Sequence, residues 1–210
     1  MQLCKLDVTE FTNVLASEAP APGGGSTAAL EGALGAALTA MVCALTAGKK
    51  AYAEWEAQTD AIRRRASALQ ARFPEVIDLE TEAFCAVSAA YSLPKATDEE
   101  KARRSVAIQK GLLRCTQSPF EMMELAAEAL ELAAQLAGKS NASAASDLGC
   151  AVLSLRAAIC GAWLNVCINI GSLKDRAAAE NYRTRGQALL SRVLPLADET
   201  YAAILAQITG

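Results

Sequence analysis

Apolar residues recur every three or four positions along most of the chain, which is the period of an amphipathic helix. The first such segment begins at Asp7, with Glu10 three residues later as in a capping box, and its apolar face includes Phe11. We see no convincing strand pattern and no internal repeat, so the pattern predicts an all-α protein.

Start and stop signals divide the rest of the chain into further amphipathic helices. Four are predicted over residues 53–72, 75–92, 97–116 and 118–138. Thr97 with Glu100 forms a capping box, and a second one begins at Ser118 with proline at the first helical position. Pro74 is expected to stop one helix, and Pro195 to kink or split the last one, which spans about 174–208.

Two segments, 27–47 and 147–172, are almost wholly small or apolar, with Glu31 and Arg156 as their interior charges. The uncharged stretch 32–48 is shorter than the roughly 20 residues of a typical membrane span and has no aromatic belt. We therefore expect no membrane span but two buried central helices. The predicted fold is a single domain over residues 1–210, an all-α bundle of about eight or nine helices.

Composition is typical of a globular protein, with 52% apolar and 20% charged residues. The net charge of −3 argues against a nucleic-acid-binding surface. Seven cysteines without CxxC spacing, and an amino terminus without a signal peptide, indicate reduced core residues in a cytoplasmic protein. Cys43, Cys85, Cys150, Cys160 and Cys167 all lie in apolar helical contexts.

The chain contains no histidine, which excludes histidine-dependent nucleophiles and imidazole zinc sites. Zinc bound by cysteine is also not expected, because no close cysteine pair is present. Acid–base chemistry near neutral pH must therefore use carboxylates, Lys, Cys, Tyr or the substrate itself.

A proline- and glycine-rich loop is the first candidate site, and it consists of Pro22, Gly23, Gly24, Gly25 and Ser26. Ser26 is expected to be the N-cap of the following helix. The loop matches neither a Walker loop nor a dinucleotide fingerprint. Anion binding at a helix start and a tight connection between helices are equally good interpretations.

An acidic run is the second candidate. Asp78 and Glu82 share one helix face, whereas Glu80 points elsewhere. A solvated acidic surface is the more common explanation, although a carboxylate beside an apolar face can have a raised pKa.

The third candidate is a set of polar residues around the second apolar segment. Asn141 lies in a loop, Asp147 begins the helix, and Asn165 and Asn169 lie four residues apart among apolar neighbours. Buried amides need hydrogen-bond partners. These amides either bond to neighbouring helices or line a pocket for a polar heterocycle, and we favour the pocket.

Basic residues form the fourth candidate: Lys49, Lys50, Lys95, Arg103 and Arg104. Most surface Lys and Arg side chains are only solvated, but a few in such a set can bind a carboxylate-rich ligand.

These motifs together resemble the cyclodeaminase/cyclohydrolase family of folate enzymes, in order and over nearly the whole chain. The motifs are PAPGGGS (20–26), IDLETEAF (77–84), LPK (93–95) with EEK (99–101) and RR (103–104), SD (146–147) and NVCIN (165–169). The family usually has aspartate at the position of Glu80, whereas Asp78 and Glu82 match.

The resemblance implies an all-helical homodimer with a folate site between subunits near the Gly-rich loop, and no metal or bound cofactor. Asp78, Glu80, Glu82 and Asp147 are the expected catalytic residues. The expected substrate-binding residues are Pro22, Gly23, Gly24, Gly25, Ser26, Lys95, Arg104, Asn141, Asn165 and Asn169.

The expected activity is that of a formiminotetrahydrofolate cyclodeaminase, which forms the methenyl bridge and releases ammonia. Methenyltetrahydrofolate cyclohydrolase is the alternative within the family. A folate-binding or structural helical scaffold without activity is the alternative from another class.

Overall fold

The computed structural model describes residues 2–210, and the described chain is an all-helical bundle without β-strands. Its six α-helices are α1 (Val8–Leu15), α2 (Gly24–Thr46), α3 (Glu56–Tyr91), α4 (Asp98–Ala134), α5 (Ala145–Ser172) and α6 (Arg176–Thr209). Short 3-10 helices at Leu3–Lys5, Lys50–Trp55 and Ala142–Ala144 precede α1, α3 and α5. The all-α prediction is confirmed.

The predicted number of eight or nine helices is wrong, because three prolines lie inside long helices instead of ending them. Pro74 lies within α3, Pro119 within α4 and Pro195 within α6. A helix-interior proline removes one hydrogen bond and costs about 3 kcal/mol. Each of these helices buries apolar residues on both sides of its proline, and this burial outweighs the local cost.

Helices begin where the sequence predicts when hydrogen bonds between neighbouring residues determine the helix start. The capping boxes predicted at Asp7 and Thr97 are both formed. The one predicted at Ser118 is wrong, since Ser118 lies in the middle of α4. There the packing of α4 against its neighbours maintains the helix, so no new helix start is needed.

Helix α2 packs closely against both α5 and α3 because glycines occupy the contact positions. A Cβ atom on Gly35 would lie 2.5 Å from Leu155 Cγ, and one on Gly32 would lie 2.4 Å from the Phe73 ring. Ala28 and Gly161 form a similar contact between α2 and α5. One hydrophobic core surrounds these contacts and draws residues from α2 to α6.

The prediction that α2 and α5 are buried central helices is only half correct. Their inner faces contribute to the core, but less than half of each helix's most apolar stretch is buried, 44% in α2 and 39% in α5. Large apolar side chains lie exposed on their outer faces, namely Leu34, Met41 and Leu45 on α2 and Leu153, Leu164 and Ile168 on α5. By length and composition alone, both helices are able to cross a membrane.

The seven cysteines are all free thiols, but they are not all core residues. Cys43 is buried as predicted, whereas Cys85 and Cys150 are exposed. Apolar neighbours in the sequence did not distinguish these positions, because some apolar helix faces are exposed in the single chain.

The close contact between α2 and α5 leads to a stability prediction. Gly35→Ala should lower the free energy of unfolding by about 1–3 kcal/mol, because the new Cβ would also lie 2.9 Å from the backbone oxygen of Ala151. Gly171→Ala is the control, since nothing lies within 4 Å of a Cβ there. This control should be neutral or stabilising by up to about 1 kcal/mol. Urea unfolding measures both, and equal effects would contradict the packing argument.

Candidate functional site

The glycine-rich start of α2 differs from the prediction at one residue. The helix begins at Gly24 with Gly23 as its N-cap, so Ser26 is the third helical residue and not the cap. No side chain caps this end, which leaves the first N–H groups of α2 available to a ligand. Ser26 Oγ instead donates a hydrogen bond to Glu80 Oε2 on α3, at 3.3 Å.

The Glu80 carboxylate lies directly against the α2 backbone. A Cβ atom on Gly25 would lie only 2.8 Å from Glu80 Oε1, so the lack of a side chain at Gly25 makes this position possible. Burial raises the pKa of the Glu80 carboxyl, and the hydrogen bond from Ser26 acts in the opposite direction. A carboxyl with a raised pKa is suited to proton transfer closer to neutral pH.

Two amide residues of α5 complete this region. A Cβ on Gly24 would lie 3.9 Å from Asn165 Nδ2, which places Asn165 beside the first turn of α2. Asn169 Nδ2 donates to the backbone oxygen of Cys115 on α4 at 2.7 Å. The charge of Glu80 in turn acts on the Cys115 thiol, whose pKa is raised to about 11, first by burial and then by this charge.

We call this group of seven residues the Glu80 cluster. It consists of Gly24, Gly25, Ser26, Glu80, Cys115, Asn165 and Asn169. It brings together residues of four helices: the start of α2, the interiors of α3 and α4, and the carboxyl-terminal part of α5. A carboxyl group, free helical N–H groups and two amides thus lie on neighbouring parts of these helices. Both amide nitrogens donate to backbone oxygens, that of Asn165 to Gly161 and that of Asn169 to Cys115. This combination can bind a polar heterocycle and exchange a proton with it.

The other two carboxylates of the acidic run lie outside the Glu80 cluster. Asp78 accepts a hydrogen bond from the Cys4 thiol at 3.2 Å, next to the N-terminal 3-10 helix. Glu82 is exposed and lines a groove of about 350 Å³ between α3 and α4, which also contains Arg114 and Glu121. Glu80 thus lies on a different face of α3 from Asp78 and Glu82, as the helical period predicted.

Asn141 and Asp147 lie at the opposite end of α2 and α5. Asn141 is buried, its Nδ2 donates to the backbone oxygen of Leu45, and its Oδ1 accepts from the Ser143 N–H. Asp147 lies in the first turn of α5, 18 residues before Asn165. At 1.5 Å per residue this separation is about 27 Å, so a single chain does not bring the two ends together.

The predicted cations Lys95 and Arg104 line a cleft of about 400 Å³ together with Lys101 and Lys174. Arg104 donates to the backbone oxygen of Tyr91, at 3.0 and 3.2 Å, which fixes its guanidinium in the wall of the cleft. The cleft lies at the carboxyl end of α5, one turn beyond Asn169. Its four cationic side chains are suited to a ligand with several carboxylates.

Sequence reasoning missed three contributors to these sites. Lys101 is three residues before Arg104 on the same helix face, and this spacing was a usable signal. Lys174 and Cys115 gave no such signal, since each comes near its partners only through the packing of α4 and α5. Within residues 2–210, no group of three potential metal-binding side chains from His, Cys, Asp and Glu is placed to hold a metal ion.

Comparison with known proteins identifies the family. The family model described as formiminotransferase-cyclodeaminase matches residues 7–188. The methenyltetrahydrofolate cyclohydrolase of Methylorubrum extorquens is 41% identical over 201 residues, which cover 96% of this chain and 97% of that protein. The chain belongs to the formiminotransferase-cyclodeaminase family. The resemblance found in the sequence is thereby confirmed.

Two other relatives show how far the similarity extends within this family. The formimidoyltransferase-cyclodeaminase of Rattus norvegicus is 34% identical over 180 residues, which cover 86% of this chain but 33% of that longer protein. The crystal structure of formiminotetrahydrofolate cyclodeaminase from Thermotoga maritima superposes with a TM-score of 0.80 over 98% of this chain and 97% of that one. At 24% identity, this second similarity concerns the fold alone.

The contact between Gly25 and Glu80 leads to a structural prediction. In Gly25→Ala the new Cβ must displace the Glu80 carboxylate by about 1 Å or more and break its hydrogen bond with Ser26. Because the end of a flexible side chain gives way, the thermal midpoint should change little. Gly23→Ala is the control, since nothing lies within 4 Å of a Cβ there. Crystal structures of both variants measure the shift, and an unmoved Glu80 in Gly25→Ala would refute the proposed contact.

Proposed function

We propose that this chain is a folate one-carbon enzyme that hydrolyses the methenyl bridge of methenyltetrahydrofolate. The observation that carries the proposal is the Glu80 carboxyl, held with a raised pKa against the glycine-rich start of α2. Full-length similarity to a protein named methenyltetrahydrofolate cyclohydrolase supports the choice of reaction.

The proposed reaction needs a carboxylate and bound water. Water attacks the methenyl carbon, a C–O bond forms, and the electron pair of the C=N⁺ bond moves to nitrogen. Glu80 takes the proton that the attacking water loses. When the tetrahedral intermediate collapses, its hydroxyl group releases its proton to solvent as the C=O bond forms. One C–N bond breaks, and the leaving nitrogen takes the proton from Glu80, which gives the formyl form and leaves Glu80 ionised.

Charge explains why a half-buried carboxyl suits this substrate. Before binding, burial favours the protonated form of Glu80. The cationic methenyl group then favours the ionised form, so binding prepares the base next to its target. Holding the reactive carbon in place supplies a further part of the rate.

Cyclodeaminase activity is the second candidate, as the sequence resemblance first suggested. Similarity to proteins named formimidoyltransferase-cyclodeaminase supports it. In that reaction one folate nitrogen attacks the formimino carbon and loses its proton to solvent. Glu80 protonates the formimino nitrogen, whose bond to this carbon breaks, and ammonia departs. Glu80 would then act only as an acid, whereas in the hydrolysis it acts first as a base and then as an acid.

Substrate binding is proposed along one line of the molecule. Asn165 and Asn169 hold the edge of the pterin ring beside the Gly-rich start of α2. The cleft with Lys95 and Arg104 binds the carboxylates of the glutamate tail.

We also propose that the enzyme works without a resident metal or cofactor. We further propose that it is cytoplasmic, in keeping with its free cysteines.

We further propose a homodimer formed by the exposed faces of α2 and α5. Leu34 and Met41 on α2, with Leu164 and Ile168 on α5, are apolar side chains that a partner can cover. If α2 and α5 of the two chains run antiparallel across the two-fold axis, the far end of one chain lies near the Glu80 cluster of the other. Asp147 then contributes to the partner's site.

A spectrophotometric assay tests the reaction. We expect the near-ultraviolet absorbance of methenyltetrahydrofolate to decrease faster with the protein than without it. A rise in absorbance with formiminotetrahydrofolate would favour the cyclodeaminase. No change with either substrate would contradict both activities and favour a non-catalytic scaffold.

Replacement of the carboxyl tests its role. Glu80→Gln should lower kcat by about 100-fold or more, since it removes the proton-transfer group. Its thermal midpoint at pH 7 should be equal to or above that of the wild type. A raised native-state pKa means that wild-type stability falls as the pH rises through that pKa, and the glutamine avoids this loss. Glu75→Gln, at an exposed position on the same helix, is the control and should keep full activity.

Subunit complementation tests the dimer. Glu80→Gln and Asp147→Asn should each be inactive alone, but a purified heterodimer of the two should have one intact site and about half of the wild-type activity per dimer. Light scattering should give about 44 kDa, twice the mass of the chain. A 22 kDa monomer, or a protein that needs detergent to stay in solution, would contradict the proposed interface.

A further inference from the structure

Helix α4 lacks one of its own hydrogen bonds where Pro119 interrupts the backbone. Proline has no N–H group, so the carbonyl oxygen four residues earlier, that of Cys115, loses its helical donor. The amide of Asn169, on the neighbouring helix α5, donates to this oxygen at 2.7 Å. A side chain of another helix thus replaces the missing backbone bond.

The other two helix-interior prolines have surroundings that differ from those of Pro119. Pro119 is buried, whereas Pro74 is half-buried and Pro195 is exposed. The carbonyls that these two prolines leave without a helical donor belong to the exposed residues Gln70 and Ser191, where water can donate. Only at Pro119 does the described structure place a side chain from a second helix at the open carbonyl.

The two hydrogen bonds of Asn169 fix the orientation of its amide. Its Nδ2 donates to the oxygen of Cys115 and, at 2.9 Å, to the oxygen of Asn165. Reversing the amide would place Oδ1 against two carbonyl oxygens, which repel it. No residue among 2–210 donates to Oδ1, so this oxygen is a fixed and free acceptor.

We infer that Pro119 is a positioning residue, which opens the Cys115 carbonyl to Asn169 and so locks the Asn169 oxygen as an acceptor for an N–H edge of the substrate. The inference rests on the proposed function, because an amino-pyrimidinone ring such as that of folate presents such N–H donors. An acceptor that cannot reverse discriminates against rings with a lone pair at that position.

Pro119→Ala tests the inference directly. The substitution restores a backbone N–H that becomes a second donor to the Cys115 oxygen, so the hydrogen bond that holds the Asn169 amide weakens. We expect KM for the folate substrate to rise about 10-fold, the equivalent of one lost hydrogen bond, while kcat changes less than about 3-fold. Pro195→Ala is the matched control. It also removes a proline from a helix interior, but no side chain of a second helix donates to the carbonyl oxygen four residues earlier. The KM of this variant should equal that of the wild type.

Two measurements that need no turnover separate this inference from the proposed function. The side-chain amide signals of Asn169 in an ¹⁵N NMR spectrum should shift, and their hydrogen exchange should accelerate, in Pro119→Ala but not in Pro195→Ala. Asn169→Ala should lower the thermal midpoint by about 3 °C or more in the wild type. In the Pro119→Ala background, where the new N–H serves Cys115, it should lower it by less than half as much.

The outcomes distinguish the possibilities. Unshifted Asn169 signals or additive stability effects would overturn the positioning role of Pro119. Shifted signals with an unchanged KM would overturn the role of Asn169 in recognition. Shifted signals and non-additive stabilities in a protein that converts neither folate substrate would support the positioning role and refute the proposed function.

Discussion

The close approach of α2 to its neighbours is the constraint on which the rest of the structure depends. Gly32 and Gly35 bring its backbone against Phe73 of α3 and against α5, at distances that a Cβ would forbid. Two turns before Gly32, the same lack of a side chain at Gly25 leaves the space that the Glu80 carboxylate fills. Packing and chemistry therefore depend on glycines of the same helix: Gly32 and Gly35 let the helices approach, and Gly25 lets the Glu80 carboxylate lie against α2.

That dependence explains how a chain without histidine can offer acid–base chemistry. An exposed glutamate loses its proton far below neutral pH, but burial against α2 raises the pKa of Glu80. The amides of α5 surround the same position with groups that bind without titrating. The cleft with four cationic side chains at the end of α5 is separate from this position, and none of its lining residues belongs to the Glu80 cluster.

The sequence was sufficient where the interactions are local and insufficient where packing decides. Hydrogen bonds within four residues define the capping boxes at Asp7 and Thr97, so their spacing predicted both. Pro74 and Pro119 were wrongly predicted to end or begin helices. The buried faces of α3 and α4 keep these helices continuous although each proline removes one backbone hydrogen bond. The position of Glu80 against α2, which its two acidic neighbours do not share, became visible only in the structure. The helical period predicted that Glu80 points away from Asp78, but not which of the two directions leads into the bundle.

The ionisation of Glu80 in the ligand-free protein is the most direct measure of this account. Glutamates labelled with ¹³C at the carboxyl carbon can be titrated by NMR, and the signal missing from the Glu80→Gln spectrum identifies this residue. The account predicts a midpoint clearly above the ordinary value of 4.5. A midpoint at or below 4.5 would show that burial against α2 does not hold the proton, and would contradict the central role given to this carboxyl.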